Sequence, residues 1–491
     1  LPLVKGKLEL AWFVDQVIPV GDYLLQLSRG ANWYYGEQRG PSIRVASIKD
    51  TDTSLNNLVL DRKVYLSGVS VRDNRLYLLQ TKAYQDGDLM PLPENSDKNK
   101  EPSANLFLTV LDLSKLPELS IISETAVVDK KMGWNNNFKA NWPNDGKLLW
   151  TNKGGYRYWG WGEIDDIGMN DIWWPGYGGG AGQLICFDVS GPANPVLASN
   201  INLSVVENDQ PDKNGKLNIH YLNRWDFSQA ILNENGLVYI SSQYSKFLEK
   251  KDSDNGKTTD DKEEEPGPEP MPKPYGHWIT RYELHVVDYA DPFDPVVREA
   301  VAIPGSLIGT SHGGAIIYTQ GVHWNDNRKW DGEWFDASSY DGLDVHLIDS
   351  IEQPNAWPKS YTLTKDGTLY IAFTERVKVL NEEGEVIEYR ADPYMQSFAL
   401  DEKGKFTMLD EIKPNGELQQ LADVDGSLLG IDNQRNVYLF NTSDGASIRT
   451  LGKGSVEGCL WFSLDGLVNN AGIGVWIPLG QYGASRIDWG D

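Results

Sequence analysis

Two stretches one hundred residues apart carry the fold: "LICFDVSGPANPVL" (Leu184–Leu197) and "LHVVDYADPFDPVV" (Leu284–Val297). In each, a short apolar run ends on an aspartate, Asp188 or Asp288. Prolines follow at matching offsets, Pro192 and Pro195 against Pro292 and Pro295. An aspartate carboxylate can cap a turn, and proline fixes φ and cannot donate to a continuing ladder. The pattern is a strand, a capped turn and a fresh strand, with the aspartates as turn formers and not catalysts. Two looser copies, "LTVLDLSKLPELSI" from Leu108 and "VHLIDSIEQPNAW" from Val345, put Asp112 and Asp349 in that position. His285 and His346 each precede their aspartate by three residues, which reads as shared packing.

A second unit alternates with the first. It runs "VGDYLLQL" at Val20, "DNRLYLLQ" at Asp73, "DGKLLWTN" at Asp145 and "NGLVYISS" at Asn235. It continues as "GGAIIYTQ" at Gly313, "DGTLYIAF" at Asp366 and "DGSLLGID" at Asp425. Asx-Gly turns beside alternating apolar residues are hairpin signals. Short strands repeated at this spacing predict an all-β chain, a β-propeller of four-stranded blades occupying residues 1–491 as one domain. Eight units can be counted. Seven blades stay open, because the last unit, "DGLVNNAGIGVWIPL" from Asp465, can be completed by the N-terminal "KLELAWFV".

The "LxVVDYADPxDPVV" units resemble the LVIVD-type blade repeat. The whole chain resembles the bacterial secreted β-propeller domain-containing proteins, through "VDQVIPVGDYLLQL", "VSVRDNRLYLLQ" and "IPGSLIGTSHGGAIIYTQG". The resemblance implies the fold and an extracellular or cell-envelope location. It implies little chemistry, since one fold hosts many functions. The opening "LPLVKGKLELAW" does not read as a signal peptide; by residues alone, a mature exported chain and a cytoplasmic one both stay open.

The 491 residues carry a net charge of −25, which argues against nucleic acid as a partner, because phosphate binding needs clustered Lys and Arg. No apolar run is long enough for a transmembrane segment. Cys186 and Cys459 each sit in an apolar strand-like run and read as buried thiols, with a single disulfide left open.

With the turn-led run named strand b and the aspartate-ended run strand c, five consecutive blades carry long b–c insertions, which a propeller presents on one face. The insertion at 248–276 includes "SDNGKTTDDKEEEPGPEPMPKP", too polar to order itself, and is expected to be mobile. Three others are aromatic. Trp33, Tyr35, Trp159, Trp161, Trp173, Trp174, Trp324, Trp330 and Trp334 are the candidate ligand-binding residues, offering flat faces for a sugar or a protein. The alternative is that these rings pack their loops onto the blades. Glu163, Asp165, Asp166 and Asp171 offer oxygens to a structural calcium, though without EF-hand spacing; no other cofactor is expected. Asp326, Asp331, Glu333 and Asp336 supply carboxylates for glycoside hydrolysis, but nothing in their spacing selects an acid–base pair. Neither G-x-S-x-G, a P-loop nor a dinucleotide fingerprint occurs. The leading expectation is an exported binding or scaffold module whose partner is a polysaccharide or an envelope protein, copies of itself included. A carbohydrate-active enzyme using loop carboxylates and a structural subunit of a surface assembly are the alternatives.

Overall fold

The computed structural model describes residues 14–30, 40–60, 64–82, 104–127, 138–152, 182–203, 223–233, 235–249, 276–324, 330–424, 426–441, 446–455, 468–470, 474–478 and 484–488. Their strands form eight antiparallel sheets in chain order, over 16–59, 64–127, 138–202, 223–303, 306–352, 359–412, 418–455 and 468–488. Seven follow a four-stranded a-b-c-d meander, and the eighth holds three described strands. Blade 4 keeps the meander although its outer positions are split, Asn223–Phe227 with Ile231–Leu232 and Val296–Val297 with Val301–Ile303.

Alternation along the middle strands makes the ring. Leu148 and Trp150 of blade 3 pack into blade 2 with Ile185 and Phe187. The intervening Leu149, with Leu184 and Cys186, packs the other way into blade 4. Both faces of strands b and c are therefore apolar, which is why "LICF" reads as a continuous apolar run and not a half-buried one. Equivalent clusters join every neighbouring pair of blades. The last joins blade 1, by Val14, Val17 and Leu24, to Trp476 of blade 8, so the ring closes on eight sheets. "KLELAWFV" as the completing strand lies outside the described residues except for Val14, which is buried.

The a–b turns need left-handed backbone, supplied for example by Gly146 at φ 70° and Gly367 at φ 93°. At the c–d turns the capping aspartates behave as the sequence predicts. Asp112, Asp188 and Asp288 accept the N–H of Ser114, Ser190 and Ala290 at 2.8, 3.0 and 2.9 Å.

Asp349 is a correction. "VHLID" is not strand c of blade 5 but its exposed strand d, Val345–Glu352; strand c is Trp330–Tyr340. The capping role there falls to Asp341, which accepts the N–H groups of Leu343 and Asp344 at 2.9 and 2.8 Å. Asp349 instead accepts Phe406 N of blade 6 at 2.8 Å. His285 and His346 consequently occupy different positions. His285 is buried in strand c of blade 4 with its Nε2 2.7 Å from Ser242 Oγ, and His346 is exposed in strand d of blade 5.

The Asp349 bond is one of a series in which strand d reaches the c–d turn of the next blade. Asn56 Nδ2 donates to Pro117 O at 2.9 Å, Ser123 Oγ to Pro192 O at 2.6 Å and Thr125 Oγ1 to Pro195 O at 3.0 Å. Asp410 accepts Ile448 N at 2.7 Å. The exposed outer strands are thus clipped to their neighbours by polar contacts where no apolar face is available.

Candidate functional site

The register puts the a–b and c–d turns on one face, and the b–c and d–a connections on the other. On the second face the predicted insertions are partly strand. In blade 5, "GVHWNDNRKWDGEWFDASSYDG" is not a loop: strands b and c continue to Trp324 and from Trp330, paired with each other, with only 325–329 between. In blade 4 the two strands run to Glu249 and from Gly276, so the ends of the 248–276 insertion are ladder; residues 250–275 lie outside the described residues. Extending a ladder satisfies backbone groups that a free loop would leave to water.

Of the candidate ligand-binding residues, Trp33, Tyr35, Trp159, Trp161, Trp173 and Trp174 lie outside the described residues, as do Glu163, Asp165, Asp166 and Asp171. Trp324 and Trp330 are placed as a cross-strand pair at the hairpin tip. Trp334 is described in full. It is half-buried, stacks on His323 at 5.0 Å between ring centroids with 9° between planes, and donates Nε1 to Asp331 O at 3.0 Å.

That stack stands on a polar frame. Asp336 is fully buried, 3.2 Å by Oδ2 from His323 Nε2, and accepts Ser350 Oγ at 2.6 Å. Glu333 pairs with Lys359, which opens strand a of blade 6. Gln353 donates Nε2 to Trp334 O at 3.3 Å, tying the hairpin to the d–a connection. Tyr361 donates to Gln320 Oε1 at 3.2 Å; burial, with Glu333 adding, pushes its phenol up to about 12. Glu333 and Asp336, two of the carboxylates suggested for hydrolysis, are thus each engaged by a neighbour. Asp331 is exposed, and Asp326 lies outside the described residues. Among the described residues no group of three or more His, Cys, Asp and Glu could hold a metal, and no helix is long and apolar enough to cross a membrane.

The structure adds residues that the aromatic-loop reading passes over. Trp357, in the d–a connection into blade 6, is 77% exposed. It adjoins Pro358, whose carbonyl accepts Thr374 N at 3.1 Å, where strand b of blade 6 leaves the sheet. Blade 6 also carries a long b–c hairpin, Leu369–Leu380 paired with Val386–Leu400. Its signal is "VKVLNEEGEVIEY", an Asn-to-Gly turn between alternating runs, overlooked because it contains no tryptophan. The adjacent hairpins of blades 4, 5 and 6 form one arc of the face, with Trp357 at the foot of the third.

No protein-family model matches the chain, and no curated protein matches it. Solved structures resemble it over most of its length. Sqt1 from Chaetomium thermophilum is 9% identical over 96% of this chain and 93% of its own, with a TM-score of 0.47. A Lactobacillus plantarum protein is 9% identical over 95% and 99%, with a TM-score of 0.41. The periplasmic gluconolactonase PpgL of Pseudomonas aeruginosa is 12% identical over 88% and 96%, with a TM-score of 0.38. At these identities and scores the likenesses assign no activity; the propeller stands on the strand register and ring closure above.

Proposed function

We propose that the chain is a binding or scaffold module, exported to the cell surface or the extracellular space, that works through the b–c face of blades 4 to 6. One observation carries the reading: Trp357 holds its ring in solvent, 77% exposed, between a fixed polar frame and a projecting hairpin. Trp and Tyr are enriched among the few residues that carry most of the affinity at recognition surfaces, and Trp357 is placed to act as one. The engaged carboxylates of blade 5, Glu333 with Lys359 and the buried Asp336 with His323 and Ser350, suit a rigid support beneath such a surface. The partners that fit are a polysaccharide, by stacking, or an envelope protein, including another copy of the chain. The resemblance to secreted bacterial propellers supports the location.

The test is co-sedimentation of the purified protein with bacterial cell-wall polysaccharide and with envelope vesicles. Saturable binding is expected, with Trp357→Ala weakening it about thirtyfold, the scale of one interface hot spot. Equal binding by Trp357→Ala, or no saturable binding to either material, refutes the reading.

A further inference from the structure

We infer that the blade 6 hairpin, residues 375–392, is a strand-addition dock for an extended protein segment alternating apolar and cationic residues. The inference rests on the b–c face being a binding surface and specifies the chemistry of a partner there.

The hairpin outruns its own sheet. Strand d of blade 6 ends at Ile412, opposite Met395. Beyond it, Lys413 lies over strand c, with Nζ 4.6 Å from the Tyr394 ring centroid and 3.9 Å from Asp392. Residues 386–391 pair with strand b on one side; on the other, no strand pairs with them among the described residues. An open edge of this kind is a template for another strand, and main-chain pairing at such edges is a recurrent mode of peptide capture.

The side chains give the edge its selectivity. Ile387 is 64% and Tyr389 59% exposed, and Val386 and Leu380 are exposed beside them. Tyr389 lies opposite Lys378 and shares its face with Ile387 two residues away; a register shift between Val379 and Leu380 leaves Ile387 as the extra residue and brings Val386 opposite Leu380, beside them. The cations at the hairpin base are already engaged, Arg376 by Glu417 at 2.6 Å and Arg390 by Asp392 at 2.8 Å. Glu382, Glu383, Glu385 and Glu388 stand exposed on the hairpin and outnumber the exposed cation on the same face, Lys378 opposite Tyr389. An apolar strip rimmed by acids selects a partner strand with apolar residues at alternate positions and Lys or Arg between them. A second copy, with a net charge of −25, and the acidic 250–275 insertion both bring the wrong sign.

The edge is also held ready. Asn381 Oδ1 accepts the N–H groups of Glu383 and Glu385 at 3.1 and 2.8 Å, fixing the turn. Glu417 anchors the base, accepting Arg376 and also Asn433 Nδ2 at 3.1 Å. Pre-organisation lowers the ordering cost that a peptide complex must otherwise overcome.

The probes are a short peptide alternating valine and lysine, its valine–glutamate counterpart, and the valine–lysine peptide N-methylated at alternate amides. Each is titrated against the full chain at physiological salt, followed by anisotropy. The valine–lysine peptide is expected to bind at one site. Ile387→Ala with Tyr389→Ala should weaken it at least about tenfold, Ile387→Lys should weaken it by repulsion, and N-methylation should abolish it. No binding, equal binding by the N-methylated or glutamate peptide, or equal binding to the double variant each overturns the dock. Concentration-dependent dimerisation lost in the double variant also overturns it, because the occupant is then a second copy. If the peptide fails while polysaccharide or vesicle binding still depends on Trp357, the dock falls and the broader function stands. If neither material binds, the broader function falls on its own evidence.

Discussion

Asp336→Ala removes the acceptor on which the blade 5 frame is built. The carboxylate is fully buried and takes Ser350 Oγ at 2.6 Å and His323 Nε2 at 3.2 Å. A hydrogen bond to a charged group contributes about 1.5–3 kcal/mol, and a buried donor left without an acceptor costs about 1–3 kcal/mol. His323 keeps 27% of its side chain in solvent and can recover a water, so its share is discounted. The Ser350 hydroxyl is likewise partly buried, so both donors lose a charged acceptor and neither loss is complete. The expected cost is about 3 kcal/mol, large against a total stability of about 5–15 kcal/mol. It should fall first on the blade 5 hairpin, because the His323 ring that loses its partner is the one on which Trp334 stacks. Two readouts separate the local from the global effect: amide exchange along Trp330–Tyr340, and the denaturant midpoint at constant slope. Asp336→Asn, which retains one carbonyl acceptor, should recover part of the loss. A double-mutant cycle with His323→Ala should return a coupling of about 1–2 kcal/mol. A coupling near zero, or unchanged exchange in strand c, would refute the claim that this frame holds the hairpin.

Acid should release the blade 3 cap at a defined point. Burial works to raise the Asp188 carboxyl, but hydrogen bonds from Lys147 and Ser190 outweigh it and bring the pKa down from 3.8 to about 2. Because the folded value is depressed, the contribution is present above 3.8 and is lost as pH falls towards about 2. Asp188→Asn should flatten the stability–pH curve in that window, and an unchanged slope would count against the linkage. The inter-blade clips should matter individually: Asp349→Ala or Asp410→Ala strands the N–H of Phe406 or Ile448 and should cost about 1–3 kcal/mol by chemical denaturation. Cys186 is buried, and burial pushes its thiol up to about 12, so native protein should resist alkylation at Cys186 while unfolded protein reacts; mass spectrometry of the Cys186 peptide decides it.

The repeated core was legible in the sequence because alternation and turn chemistry act locally. Asp188 and Asp288 announce their turns two residues ahead, and Leu148, Leu149 and Trp150 are apolar in succession because both blade neighbours claim them. The outer strands were less legible, since they bury little and can borrow a pattern that looks like strand c. "VHLID" has the length and terminal aspartate of strand c, yet its aspartate serves blade 6. Tryptophan-rich loops in the sequence point to Trp334 but not to the exposed Trp357 or the blade 6 hairpin. The turn of that hairpin is signalled locally by Asn381 and Gly384, but its exposure depends on where the sheet stops, which no local pattern encodes.

The architecture also explains why strand-built extensions gather at the b–c end. The apolar clusters lie between blades, so lengthening strands b and c beyond Phe373 or Tyr394 adds ladder without disturbing a cluster. The added residues carry their own backbone hydrogen bonds, which makes a strand-built extension cheaper to order than a free loop of equal length. Side chains on such an extension inherit the register of the blade beneath, so Tyr389 and Ile387 are held at fixed height and on one face by pairings that begin in the core. A surface assembled in this way can change its partner by substituting exposed positions alone, while His323, Asp336, Ser350 and Glu417 keep the supports in place. Affinity should therefore respond to residues on the hairpins and stability to the polar frame under them, and substitutions of Ile387 or Tyr389 should leave the unfolding midpoint close to that of the parent chain.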